Sequence, residues 1–113
     1  MSSLRNAYEQ LTNPSKNSAI LLNNITADAT SLSFLANGEP ALVLIRGDDF
    51  TGVTISLELA SADDPGVRYR AMDDAQFTDN ADVSIEDLPA GALLRAVATG
   101  LTGANNIFVQ ILQ

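Results

Sequence analysis

The chain has 113 residues, of which 46% are hydrophobic, and its 14 acidic residues against six basic ones give a net charge of -8. This length suits one domain with a single packed core, and the acidic balance argues against nucleic acid and anionic membrane surfaces as partners. The chain contains no cysteine and no histidine, which excludes a disulfide framework and deprives a serine or cysteine triad of its usual base. We therefore expect no enzymatic activity, no metal site and no cofactor.

The first residues differ in pattern from the rest of the chain. Hydrophobic side chains recur there at helical spacing, namely Leu4, Ala7, Tyr8 and Leu11. Pro14 ends this pattern, because the residue before a proline is disfavoured in a helix. We predict an N-terminal arm over residues 1–18 and a β domain over 19–113. A helix this short is marginal in water, so we expect the arm to lie on the domain or on another subunit.

From residue 19 onward the patterns predict strands. The run Ala41–Ile45 is almost continuously apolar, which indicates a strand that is buried on both faces or central to a sheet, and it is too short to cross a membrane. Val53, Ile55, Leu57 and Leu59 alternate with polar residues, which is typical of a strand with one buried face. The strands predicted in this half lie at residues 19–22, 31–34, 41–45 and 53–59.

The second half begins with a turn, where Pro65 and Gly66 follow two aspartates. Predicted strands follow at residues 67–72, 81–85, 92–99 and 106–112. In the last strand we expect Ile107, Val109 and Ile111 to face the core, so that its removal would prevent folding. We also assign Phe34, Phe77 and Phe108 to the core.

About eight short strands, separated by turns rich in Gly, Pro, Asp and Asn, predict an all-β fold. The expected architecture is a single antiparallel β-sandwich or jelly roll with a short N-terminal arm. The pattern leaves immunoglobulin-like and jelly-roll connectivity both open.

Arg68, Tyr69 and Arg70 follow the predicted turn. Strand alternation would place the two arginines on one face and Tyr69 on the other. Arginine and tyrosine are enriched among the residues that anchor protein interfaces. The alternative is that the arginines pair with acids of a neighbouring strand. The sequence supports both interpretations equally.

Two other patterns have a structural and a functional interpretation. The acidic residues of the second half offer oxygen ligands for Ca²⁺, but their spacing favours solvated turn acids over a metal site. They are Asp63, Asp64, Asp73, Asp74, Asp79 and Asp82. Arg46, Gly47 and Asp48 match an integrin-recognition tripeptide, but a glycine that ends a strand is the simpler explanation. A carboxylate-dependent hydrolase is the least favoured alternative.

Four segments resemble the small virion proteins of tailed bacteriophages: residues 50–57, 63–69, 88–96 and 99–103. The resemblance covers roughly residues 40–113. It implies a head decoration or cement protein that stabilises the outer capsid surface, assembled in the host cytoplasm. The implied partners are the major capsid protein or other virion subunits and further copies of this chain, as a dimer or trimer.

The residues that we expect to contact partners are Leu4, Tyr8, Leu11, Arg68, Tyr69 and Arg70. The alternative function is a receptor-binding or carbohydrate-binding module of a phage fibre or tail. That function requires an exposed aromatic platform or a Ca²⁺ site.

Overall fold

The computed structural model of this protein describes residues 18–113. Within that part of the chain every regular element is a strand, and a helix that could cross a membrane is accordingly absent from it. The strands are β1 (Ser18–Ile25), β2 (Ala29–Thr30), β3 (Phe34–Leu35), β4 (Ala41–Arg46), β5 (Thr54–Ser61), β6 (Arg70–Phe77), β7 (Ala81–Ile85), β8 (Ala92–Thr99) and β9 (Ile107–Leu112). The predicted all-β fold is confirmed.

The strands form two antiparallel sheets. One has four strands in the order β1-β9-β4-β7, and the other has five, in the order β2-β8-β5-β6 with β3 also paired to β8. Because β5 pairs along the whole of β8, β2 and β3 share the opposite edge of β8, where Thr30 lies opposite Val97 and Phe34 opposite Leu94. They are therefore two parts of one interrupted strand.

The connectivity identifies the fold as a jelly roll. The chain passes from one sheet to the other at every connection except those from β2 to β3 and from β5 to β6. When β2 and β3 are counted as one strand, the fold has eight strands. Numbered along the chain, one sheet has the strand order 1-8-3-6 and the other has the order 2-7-4-5. This is the arrangement of a double-sheet jelly roll, which decides against immunoglobulin-like connectivity.

The core lies between the sheets. In β9 the side chains of Ile107, Val109 and Ile111 are fully buried, as predicted, and this strand lies between β1 and β4. Of the two predictions for β4, the central position in a sheet is confirmed, because β4 lies between β9 and β7. Leu42 and Leu44 are only half-buried because they point away from the other sheet, whereas Ala41, Val43 and Ile45 are buried.

Three further sequence predictions are wrong in detail. Residues 31–33 form no strand; they are the irregular linker between β2 and β3. Strand β6 begins at Arg70 and continues to Phe77, past its predicted end. Phe108 alternates with the buried residues of β9 and is half-buried on the outer side of its sheet. Phe34 is buried, and Phe77 packs against the core, as expected.

Candidate interaction surface

The predicted contact residues fall into two groups. Leu4, Tyr8 and Leu11 of the arm lie outside the described residues. The other group, Arg68, Tyr69 and Arg70, lies at the start of β6 and just before it, on the outer side of the five-stranded sheet.

Arg68 belongs to the turn before β6 and does not pair with a neighbouring strand. Its guanidinium donates to both carboxylate oxygens of Asp64, at 3.0 and 2.9 Å. The Arg68 side chain, with the backbone N–H groups of Arg68 and Gly66, lowers the pKa of Asp64 to about 2. Arg68 therefore stabilises its own turn, although 83% of its side chain remains exposed.

Tyr69 connects this turn to the far edge of the sheet. Its hydroxyl forms a hydrogen bond with the hydroxyl of Ser33, which lies in the linker between β2 and β3. The guanidinium carbon of Arg95, on β8, lies 3.7 Å from the centre of the Tyr69 ring. Such a cation–π contact is favourable, and it covers one face of the ring. Tyr69 is therefore not an open aromatic platform.

Arg95 is itself held by a second contact. Its Nε donates to Glu58 of β5 at 2.8 Å, and both side chains are largely shielded from solvent. Arg46 and Arg68 are also in ion pairs, with Asp82 and Asp64. Among residues 18–113, Arg70 is thus the one arginine without an ion pair to another residue of this range, and it is exposed.

Exposed apolar side chains flank the Tyr69–Ser33 contact. Leu32 and Leu35, on either side of Ser33, are 89% and 57% exposed, and Val67 is 41% exposed. Val67 has a φ of +43°, a conformation that is unfavourable for a β-branched residue. We call Leu32, Ser33, Leu35, Val67 and Tyr69 the Tyr69 surface. Sequence patterns missed the exposure of Leu32 because residues 31–34 have the alternation of a half-buried strand, in which Leu32 and Phe34 would share the buried side.

The acidic residues do not assemble into a site. Within residues 18–113 no three carboxylates lie close enough together to hold a metal ion. Asp73 and Asp74 lie within β6 and not in a turn, and Asp74 has a φ of +56° near a shift in the pairing with β5. Asp82 lies in β7, where it pairs with Arg46 at 2.7 Å.

The Arg46–Gly47–Asp48 tripeptide is held by the fold. Arg46 contacts Asp82, and Asp48 accepts a hydrogen bond from the Asn106 side chain at 2.8 Å. A Cβ atom at Gly47 would lie 2.6 Å from Ile107 Cδ1 and 2.8 Å from Phe50 Cε1, so these side chains would have to shift to admit a larger residue. These contacts favour the structural interpretation of the tripeptide.

A surface pocket of about 280 Å³ lies beside the end of β5. Apolar groups of Leu59, Pro89 and Ala90 contribute to its wall, and Asp63 is its one ionisable residue. A single exposed carboxylate provides no acid and base pair, so this pocket carries no catalytic arrangement.

Comparisons with known proteins support the fold. No protein-family model and no curated protein matches the chain. The chain is similar in structure to the SPBc2 prophage-derived protein YomS, with a TM-score of 0.65 and 15% sequence identity over 87% of this chain and 91% of that one. A weaker match is the structure of FLHE, with a TM-score of 0.42 and 15% identity over 86% of this chain and 90% of FLHE. The likeness to the prophage-derived protein concerns the fold.

Proposed function

We propose that this chain is a structural protein of a bacteriophage particle, a decoration or cement protein that binds the outer capsid surface and stabilises it. The observation that carries the proposal is the match over nearly the whole chain to a prophage-derived protein. The jelly roll supports it, since this architecture recurs in viral capsid domains. The same architecture also occurs in lectins, so the proposal needs support from the surface.

The Tyr69 surface supports a role in protein binding. Apolar side chains as exposed as Leu32 and Leu35 become favourable when a partner covers them. Tyr69, held by Ser33 and Arg95, has little freedom to lose on binding, and preorganisation of this kind raises affinity. Arg70 adds an exposed cation beside it. We assign this surface to contact with the major capsid protein, and the chain acts as a dimer or trimer without catalytic activity.

Mass spectrometry of purified particles from the phage that encodes the chain tests the proposal. We expect the chain in tail-free heads in many copies, and we expect heads lacking it to release DNA at a lower temperature. Absence from the particles would overturn the proposal. Presence in tails or fibres alone would also overturn it, and binding on a glycan array would then favour the receptor-binding alternative.

A second experiment tests the assigned surface. Leu32→Asp and Leu35→Asp place charge on the Tyr69 surface at exposed positions, so both variants should fold normally. We expect both to lose co-sedimentation with heads that lack the wild-type chain. Thr78→Asp, at an exposed position after β6, is the matched control and should still bind. Undiminished binding of both leucine variants would refute the assignment of this surface.

A further inference from the structure

The outer faces of the two sheets differ in polarity. A sheet with one buried face normally carries polar side chains on its other face. In the five-stranded sheet β5 follows this rule, with Thr54, Ser56 and Glu58 pointing outward, whereas β8 presents Leu93 and Val97 on either side of Arg95. The outer face of the four-stranded sheet is more apolar in its central strands.

Large apolar side chains occupy the outer face of β1, β9 and β4. Leu42 lies opposite Leu112, and Ile20 and Leu44 lie on either side of Gln110. None of these apolar side chains packs against the core. We call the apolar members of this set, together with Phe108, the outer apolar face: Ile20, Leu42, Leu44, Phe108 and Leu112.

The outer apolar face covers β1, β9 and β4 but does not extend to β7. Strand β7, at one edge, has Asp82 and Ser84 in exposed positions, and Arg46 pairs with Asp82 there. The opposite edge is β1, whose first residue, Ser18, lies opposite Leu112 of the outer apolar face. The 17 residues that precede Ser18 therefore join the sheet beside its apolar part.

We propose that the outer apolar face binds residues 4–11 of the same chain as a short amphipathic helix. The helical spacing of Leu4, Ala7, Tyr8 and Leu11 gives this segment one apolar side. Residues 12–17 form a connection of the length usual between a helix and a strand. The segment therefore has both an apolar surface to bury and a short path to the outer apolar face.

The proposed helix and the outer apolar face have similar lengths. Eight helical residues form about two turns and are about 12 Å long at a rise of 1.5 Å per residue. The outer apolar face extends along β9 from Phe108 to Leu112, about 14 Å at the usual strand rise. The apolar side of the helix thus matches the length of this outward-facing row.

Attachment to the same chain favours this occupant over a second copy. A short connection gives the segment a millimolar effective concentration at its own sheet. A segment from another molecule would have to compete with it. The proposal does not depend on the proposed function, because it concerns the isolated chain. It assigns Leu4, Tyr8 and Leu11 to the chain's own sheet in place of the partner contact expected from the sequence.

A spin label tests the proposal without changing the sandwich. The chain has no cysteine, so Asn6→Cys, on the polar side of the predicted helix, gives a unique attachment point. We expect the label to cause loss of amide signal intensity at Leu44 and Phe108, and much smaller losses at Ser56 and Val97 on the opposite sheet. Equal losses on both sheets, or none, would overturn the proposal.

Two controls are needed. The first tests whether the apolar side of the helix makes the contact, and the second tests whether the contact lies within one chain or between copies. Tyr8→Asp in the labelled chain should abolish the loss at Leu44, whereas Glu9→Gln, on the polar side, should preserve it. A mixture of spin-labelled chain with isotope-labelled, spin-free chain detects contacts between copies alone. Signal loss at Leu44 in that mixture would overturn the assignment to the same chain.

Discussion

At the scale of single residues, two glycines show what the fold demands of the sequence. Gly52 and Gly100 have φ angles of +76° and +82° and lie at the adjoining ends of β5 and β8. A Cβ atom at Gly100 would collide with the carbonyl oxygen of Gly52. The sequence gives no sign that the backbones of these two glycines meet.

Replacing Gly100 by alanine should therefore be costly. Gly103 is a matched control, because its φ is +118° but a Cβ atom there would meet nothing within 4 Å. We expect Gly103→Ala to lower the free energy of unfolding by about 1 to 2 kcal/mol through backbone strain alone. Gly100→Ala should cost at least about 3 kcal/mol, because backbone must also move. Equal losses in urea unfolding would contradict the close approach.

The Asp64–Arg68 pair predicts a pH dependence of the turn. The Arg68 side chain contributes most to holding the pKa of Asp64 at about 2, below its ordinary value of 3.8. A lowered carboxyl pKa stabilises the folded state above the unfolded-state value, and this contribution is lost as the pH falls through about 2. The turn should therefore loosen as the pH falls from 3.8 to about 2, and not near neutral pH.

Arg68→Gln tests this cause. We expect the NMR titration of the Asp64 carboxyl to move upward, toward its ordinary pKa, while the backbone donors of Gly66 and residue 68 keep it somewhat low. Arg46→Gln, which removes a different ion pair, should leave the titration of Asp64 unchanged. An unaltered Asp64 titration in Arg68→Gln would refute the role of the guanidinium.

At the scale of elements, the strands with a neighbouring strand on each side follow the sequence pattern well. Strand β8 has its predicted bounds, and the core-facing residues of β9 are the predicted ones. The predictions fail at β2, β3 and β6, which lie at sheet edges, although β7, which is also an edge strand, has its predicted bounds. An edge strand has one neighbour, so local interruptions such as residues 31–33 cost fewer hydrogen bonds.

The two sides of β9 should respond very differently to substitution. Ile111 is fully buried, whereas Gln110 points outward. We expect Ile111→Ala to lower the free energy of unfolding by about 2 to 5 kcal/mol, because it leaves a cavity in the core. Gln110→Ala should change it by less than about 0.5 kcal/mol. Similar effects in thermal or urea unfolding would contradict the orientation of β9.

At the scale of the whole molecule, the negative charge is distributed over turns and strand surfaces. Asp64 and Asp82 are neutralised by arginines, and no three carboxylates of residues 18–113 converge. The charge of these residues therefore has the character of a solvated surface.

Calcium should accordingly leave the stability unchanged. An ion that binds the folded state must raise the melting temperature by mass action. We expect the same midpoint in millimolar Ca²⁺ and in a chelator at matched ionic strength, with Mg²⁺ as the control divalent ion. A rise specific to Ca²⁺ would revive the metal-site interpretation.

The sequence by itself determined the fold class, most strand positions and the buried residues of β5 and β9, because strand alternation and turn residues are local signals. Tertiary structure decided the jelly-roll connectivity and the contact of Tyr69 with Ser33 and Arg95. Each of these depends on which strands become neighbours, and a pattern with a period of two residues cannot specify that choice. The same limit hid the outer apolar face, since alternation in β4 and β9 places apolar residues on both sides of the sheet.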